Sequence, residues 1–188
     1  MARELCAGAD AAQQQTLQQR LVDWRPELVG TLLFVVKPPR VLLIEKLTGH
    51  GAGKVNAPGG KLEPGETPLA CAQRETLEEV GIRALRPRLV ARLRFVDTQW
   101  PQWLGYAFVA DAYSGTPRES REAKPFWCDL DELPFARMWP DDAIWLPYVL
   151  PVPGGSQLAS DAQLQGDFLF AAGKLLAYRC YLDSPPCA

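Results

Sequence analysis

Gly59-Gly60-Lys61-Leu62-Glu63-Pro64-Gly65-Glu66-Thr67-Pro68-Leu69-Ala70-Cys71-Ala72-Gln73-Arg74-Glu75-Thr76-Leu77-Glu78-Glu79-Val80-Gly81-Ile82 is the stretch that decides how this chain reads. Thr67 is a good helix N-cap and Pro68 a good first helical residue. Gly81 is a good stop, because glycine takes the left-handed turn that ends helices. The spacing predicts a helix from about Pro68 to Val80. At about 100° per residue, with Glu75 at zero, Glu79 falls near 40° and Glu78 near −60°. The three carboxylates share one face. Leu69, Ala72, Thr76 and Val80 lie on the buried side, with Leu77 just beyond. Arg74 stands one turn before Glu78 and is placed to pair with it.

Three carboxylates this close repel one another, and a divalent cation between them reverses the sign. An oxygen-only donor set suits Mg²⁺ or Mn²⁺. On the three glutamates alone, a solvated acidic helix face remains the competing reading.

Working outward, Leu28 to Val36 and Val41 to Glu45 read as a strand pair around the turn Lys37-Pro38-Pro39-Arg40. A glycine-rich loop follows, Gly49-His50-Gly51-Ala52-Gly53. Strands are expected at 88–97, 103–111 and 124–129, and a loop at Ser114-Gly115-Thr116-Pro117. Leu130 to Leu133 reads as a short helical turn and Asp141 to Leu150 as a helix. Gly166 to Ala171 and Lys174 to Leu182 read as a last hairpin. Asp10 caps a helix expected to reach Trp24, with Leu17, Leu21 and Trp24 on one stripe. Residues 1–26 are therefore expected to be a helical extension, packed on the domain or contacting another copy. The main domain is expected over 27–182, with 183–188 as a tail. The class is α+β.

Composition excludes several functions. The chain has 188 residues, 47% apolar and 22% charged, which suits one folded domain rather than a disordered segment. The formal net charge is −2, so no duplex nucleic-acid partner is expected. Cys6, Cys71, Cys128, Cys180 and Cys187 are odd in number and contain no C-x-x-C. They imply neither a disulfide framework nor a zinc site. His50 is the single histidine. No apolar run approaches membrane-spanning length, and Met1 to Asp10 has no signal-peptide pattern, so a cytoplasmic location is expected.

The order Gly60, five residues, Glu66, seven residues, Arg74-Glu75-Thr76-x-Glu78-Glu79-x-Gly81-Ile82 resembles the Nudix box, with Thr76 at an aliphatic position. That resemblance implies an α/β/α sandwich with a mixed sheet. It also implies Mg²⁺- or Mn²⁺-dependent hydrolysis of a nucleoside diphosphate linked to a further group. Glu75 and Glu79 are implied as metal ligands, with the Gly59 carbonyl, and Glu78 directly or through water. Arg74 would orient a glutamate, Glu66 would brace the loop and Lys61 would face phosphate. A metal-acidified water with a carboxylate taking its proton is consistent chemistry; which glutamate is the base stays open.

Further segments are similar to MutT-type enzymes that act on oxidised purine nucleotides, in particular the animal-type 8-oxo-dGTP diphosphatases. They are Gly51-Ala52-Gly53-Lys54-Val55-Asn56, Gly115-Thr116-Pro117-x-Glu119-Ser120 and Met138-Trp139-Pro140-Asp141-Asp142. This resemblance implies a purine stacked on Trp139 and read by Asp141, Asp142 and Asn56. Thr31 and Lys46 occupy matching positions, Lys46 near sugar or phosphates. Glu122 would be an extra metal ligand or base. His50 stands where that group usually has an aromatic against the base, and Val55 replaces a tryptophan. The expected partner is a small nucleotide, with monomer and dimer both open. The alternatives are another nucleotide substrate, such as a normal triphosphate or a dinucleotide polyphosphate, or a non-catalytic nucleotide-binding module.

Overall fold

The computed structural model describes residues 3–182; the expected tail at 183–188 lies outside them. Among the described residues, eleven strands and three α-helices occur in the order β1 (Arg3–Gly8), α1 (Ala11–Leu21), β2 (Leu28–Lys37), β3 (Arg40–Lys46), β4 (Val55–Asn56), α2 (Pro68–Val80), β5 (Ile82–Leu85), β6 (Arg88–Asp97), β7 (Trp103–Ala110), β8 (Ala112–Gly115), β9 (Ala123–Asp129), α3 (Asp142–Val149), β10 (Leu164–Ala171) and β11 (Lys174–Leu182). A 3₁₀ turn at Phe135–Arg137 precedes α3, slightly later than the helical turn expected at Leu130 to Leu133.

The main sheet runs β1-β11-β10-β6-β7-β2-β3-β4, with β9 also on β3. It is mixed: β10 lies parallel to β6 and β2 parallel to β7, while the other pairs are antiparallel. Alternation along β2 sends its side chains to two cores. Phe34 and Val36 join Trp145, Leu146 and Val149 of α3. Leu33 and Val35 join Ala72 and Val80 of α2. Helices thus cover both sheet faces, as the expected sandwich requires. A third cluster sets Leu17 of α1 on Val96, Leu169 and Ala177, with Leu21 and Trp24 packed beside it. The stripe expected on this helix faces the domain.

The N-terminal segment differs from a purely helical extension. Residues 3–8 form an edge strand on β11, from Arg3↔Leu182 to Gly8↔Tyr178. Helix α1 starts after it, with Asp10 Oδ1 accepting from the Gln13 N–H at 2.8 Å. It ends at Leu21, short of Trp24. The unpaired edge of β11 provides the template that β1 completes. The expected loop at Ser114-Gly115 is also different: β8 pairs with β5 in a small two-stranded sheet, Ile82↔Gly115 to Leu85↔Ala112.

Helix α2 has the expected ends. Thr67 Oγ1 accepts from the Ala70 N–H at 3.2 Å, and Gly81 closes the helix at φ 73°. Its buried arc is rolled toward the carboxylates. Cys71, Ala72, Thr76, Glu79 and Val80 are buried, whereas the expected Leu69 is about as exposed as Leu77. Bonds from Glu79 to β3 and to the loop before α2 pull that side of the helix inward.

Candidate active site

Arg74 organises the start of the site. Its guanidinium bonds Glu66 through Nε and Nη2, both at 2.9 Å, Glu75 at 2.9 Å and Glu78 at 3.2 Å. It also donates to the Lys61 carbonyl at 3.2 Å. One planar cation thus ties the 59–66 loop to the carboxylate face of α2. The bonds from Arg74 and the Glu63 N–H hold the Glu66 carboxyl down at about 2. Gly60 leaves room for Glu75 against the loop, since a Cβ there would collide with the Glu75 carboxyl.

Glu79 is organised separately. It is 2% exposed, accepts from the Gly59 N–H at 2.9 Å and pairs with the Lys46 ammonium. The ammonium also stands 3.6 Å from Glu122 Oε2. Burial alone would lower the Lys46 pKa, but the bond to Glu79 and the charges of Glu79, Glu122 and Glu75 outweigh it and raise the value. Glu75 is pushed up, first by burial and then by repulsion from Glu79 and Glu78, against the opposing pull of Arg74.

Glu75, Glu78, Glu79 and Glu122 line one cleft of about 350 Å³ together with Ser120 and Arg121. The donor set is oxygen-only, as Mg²⁺ or Mn²⁺ requires, and its mutual repulsion favours a cation. In this arrangement the chain's own cations serve that purpose. Arg74 engages Glu75 and Glu78, and Lys46 engages Glu79 and Glu122. Among the described residues no three such groups already stand at ligand spacing. Lys46, expected near sugar or phosphate, therefore sits within the carboxylate cluster. Arg121 is a further cation on the cleft wall, and nothing in its local sequence pattern marks it out.

The second half of the site lies around the segment before α3. Asp141 and Asp142 are 3% and 2% exposed. The Trp145 indole N–H donates to Asp141 Oδ2 at 3.1 Å, and the Trp139 backbone N–H to Asp142 Oδ2 at 2.9 Å. The Asp141 side chain does not cap α3. Burial pushes the Asp141 carboxyl up to about 6, and burial plus the charge of Asp141 pushes Asp142 well up. Asn56 accepts from the Ala57 N–H at 2.8 Å through Oδ1. Thr31 is separate from this group: its hydroxyl lies 3.3 Å from Cys71 Sγ, inside the packing of α2 on β2.

Two tryptophans stack on His50. His50 stacks on Trp139, with centroids 5.1 Å apart at 17°, and on Trp103, 5.4 Å apart at 19°. Lys54 Nζ lies 4.7 Å from the Trp139 ring and Lys61 Nζ lies 5.3 Å from the Trp103 ring. Lys61, expected to face phosphate, rests here on an aromatic. Trp103 was not a sequence-derived candidate; it opens a strand, where an aromatic is ordinary.

A NUDIX domain model matches residues 26–149, and the chain belongs to the Nudix family; it is a Nudix hydrolase. It is 43% identical over 121 residues to the oxidized purine nucleoside triphosphate hydrolase of Danio rerio, covering 64% of this chain and 78% of that protein. The Mus musculus protein of the same description is 44% identical over the same shares. A crystal structure of the mutator MutT protein from Bacillus halodurans superposes with a TM-score of 0.69 at 31% identity, covering 81% of this chain and 97% of that one. Among the described residues no helix is long and apolar enough to cross a membrane.

Proposed function

We propose that this chain hydrolyses oxidised purine nucleoside triphosphates, such as 8-oxo-dGTP, to the monophosphate and pyrophosphate. The observation that carries the reading is the buried pair Asp141 and Asp142 beside Trp139. An oxidised purine presents extra ring N–H donors, and carboxylates accept them. With both pKa values raised, a proton shared by the pair is favoured, which would let one member donate while the other accepts. The indole of Trp139 offers a flat apolar surface for the ring. The oxidised-purine activity in the names of the fish and mouse relatives agrees with this reading.

Glu75, Glu79, Glu78, Glu122 and the Gly59 carbonyl would hold Mg²⁺ or Mn²⁺. When bound, the ion supplies charge neutralisation at the phosphates and a more acidic water. The chain's own contributions are distinct. Arg74 orients Glu75 and Glu78. Lys46 is released toward phosphate oxygens once its carboxylates are engaged elsewhere. Arg121, on the wall of the same cleft, is placed to meet the polyphosphate. Glu75, whose pKa is raised, or Glu122 is available to take the proton of the attacking water.

The test is a panel of oxidised and unmodified nucleoside triphosphates with Mg²⁺, reading pyrophosphate and monophosphate. kcat/KM for an oxidised purine is expected to exceed that for dGTP and for pyrimidine triphosphates by about 10-fold or more. Equal rates across the panel would overturn the proposed substrate class.

A further inference from the structure

The geometry points to a base slot with two indole walls, Trp103 and Trp139, that His50 fills until a nucleotide displaces it. This rests on the proposed function only in naming the ligand as a nucleotide. The imidazole lies within 19° of the Trp103 plane and 17° of the Trp139 plane, so one small flat ring is stacked on both indoles. Each wall has a contact of its own. Trp139 is pinned at its backbone by Asp142, and the Trp103 ring packs over Gly30, where a Cβ would stand 3.1 Å from it. Asp142 bonds the Trp139 backbone and Asp141 the Trp145 indole, so the groups proposed to read a base adjoin the Trp139 wall along the chain.

The segment carrying His50 is built differently from the walls. Gly49, Gly51 and Gly53 all have φ between 73° and 84°, so glycine supports the left-handed backbone on both sides of the histidine. A Cβ on Gly49 or on Gly53 would meet nothing within 4 Å, whereas one on Gly51 would stand 3.4 Å from the Trp139 ring, so the segment is open at its two ends and touches the wall at its centre. The segment is tied at its base by Gly53 N–H to the Lys46 carbonyl at 2.7 Å, and Lys46 is itself in the carboxylate cluster. Burial and the neighbouring Lys61 lower the His50 pKa, so the ring in the slot is neutral.

His50 is therefore an internal competitor with the shape of a small base, and it determines specificity. A ligand must replace two stacking contacts, which a purine does with a larger ring and a pyrimidine does less well. The apparent affinity of every nucleotide is reduced by the fraction of chains with the slot filled.

His50 is the single histidine, so its carbon-bound ring protons are directly identifiable by NMR. In the free protein these protons are expected well upfield of ordinary histidine positions, because they lie over two indole faces. Trp103→Leu should remove part of that shift. Saturation with 8-oxo-dGMP, or with dGMP, should return the protons toward ordinary positions. His50→Ala should tighten monophosphate binding by about threefold or more, measured by tryptophan fluorescence, and Trp103→Leu should weaken it by about 10-fold. Trp103→Phe should restore most of the affinity, as a stacking role requires. Ordinary histidine shifts in the free protein would overturn the inference. So would upfield shifts that persist at saturation, or weaker binding in His50→Ala, because His50 would then be a partner of the bound base. These readouts do not depend on turnover. A chain that prefers another purine would fail the triphosphate panel yet still show displacement.

Discussion

Arg74 and Glu66 meet as two parallel forks, Nε to Oε1 and Nη2 to Oε2, each at 2.9 Å. A lysine has no fork and cannot reproduce this while also holding Glu75 and Glu78. Arg74→Lys is expected to lower kcat by about 10-fold or more with KM changed less, because the carboxylates lose their orientation. Steady-state kinetics with saturating Mg²⁺ checks this, and unchanged kcat would contradict it.

The same pair fixes a pH dependence. The Glu66 carboxyl sits at about 2 in the folded protein against an ordinary 4.5, so its stabilisation is present above about pH 4.5 and lost as pH falls toward 2. Thermal melts of wild type and Arg74→Met are expected to differ most above pH 4.5 and to converge on acidification. A difference that stays constant across that window would rule out the pair as its source.

Glu79→Gln keeps the size of a buried side chain that accepts from Gly59 and pairs with Lys46. It is expected to leave the fold intact by circular dichroism and to cut kcat by about 10²-fold or more. Turnover near wild type in saturating Mg²⁺ would show that Glu79 is structural.

Asp142→Asn should act oppositely on stability and on activity. A carboxyl whose folded pKa is raised favours its protonated form, so the fold loses stability as pH rises from about 4 upward through the raised values. The amide cannot ionise, so melts of Asp142→Asn should be flatter from pH 5 to 8 and higher than wild type at pH 8. Its kcat/KM for oxidised purines should fall about 10-fold or more, with slow pyrimidine hydrolysis much less affected. Equal loss on both substrate types would assign the pair to the fold.

The position of attack is a separate expectation. Hydrolysis in ¹⁸O-water should place the label in the nucleoside monophosphate, as attack at the phosphorus nearest the sugar requires. Label in pyrophosphate would contradict it.

Helix α2 was legible to the residue because its ends are written in local chemistry: Thr67-Pro68 at the start and Gly81 at the end. The β2–β3 hairpin and the last hairpin were legible from apolar runs broken by turns. Strands β1, β5 and β8 were not, because each exists through a partner rather than through its own pattern. Arg3–Gly8 carries no alternation; it is a strand because β11 offers an edge. Ser114-Gly115 has loop composition and is paired because Ile82 stands opposite. In the site, the carboxylates were readable from helical spacing. Their division between Arg74 and Lys46 depends on where β3 passes, which spacing along α2 does not encode. Trp103 carried no local signal at all, and its significance appears only with His50 beside it.

The pairing of β1 with β11 has a consequence for how the chain comes into being. Nearly the whole described sequence separates Gly8 from Tyr178, its opposite residue in the sheet. The contact closes a very long loop, the slowest kind to find by diffusion. During synthesis, β1 emerges before β11 and must wait for it before its backbone groups are matched. Until β11 is made, β1 has no backbone partner, and that outer edge of the sheet stays open.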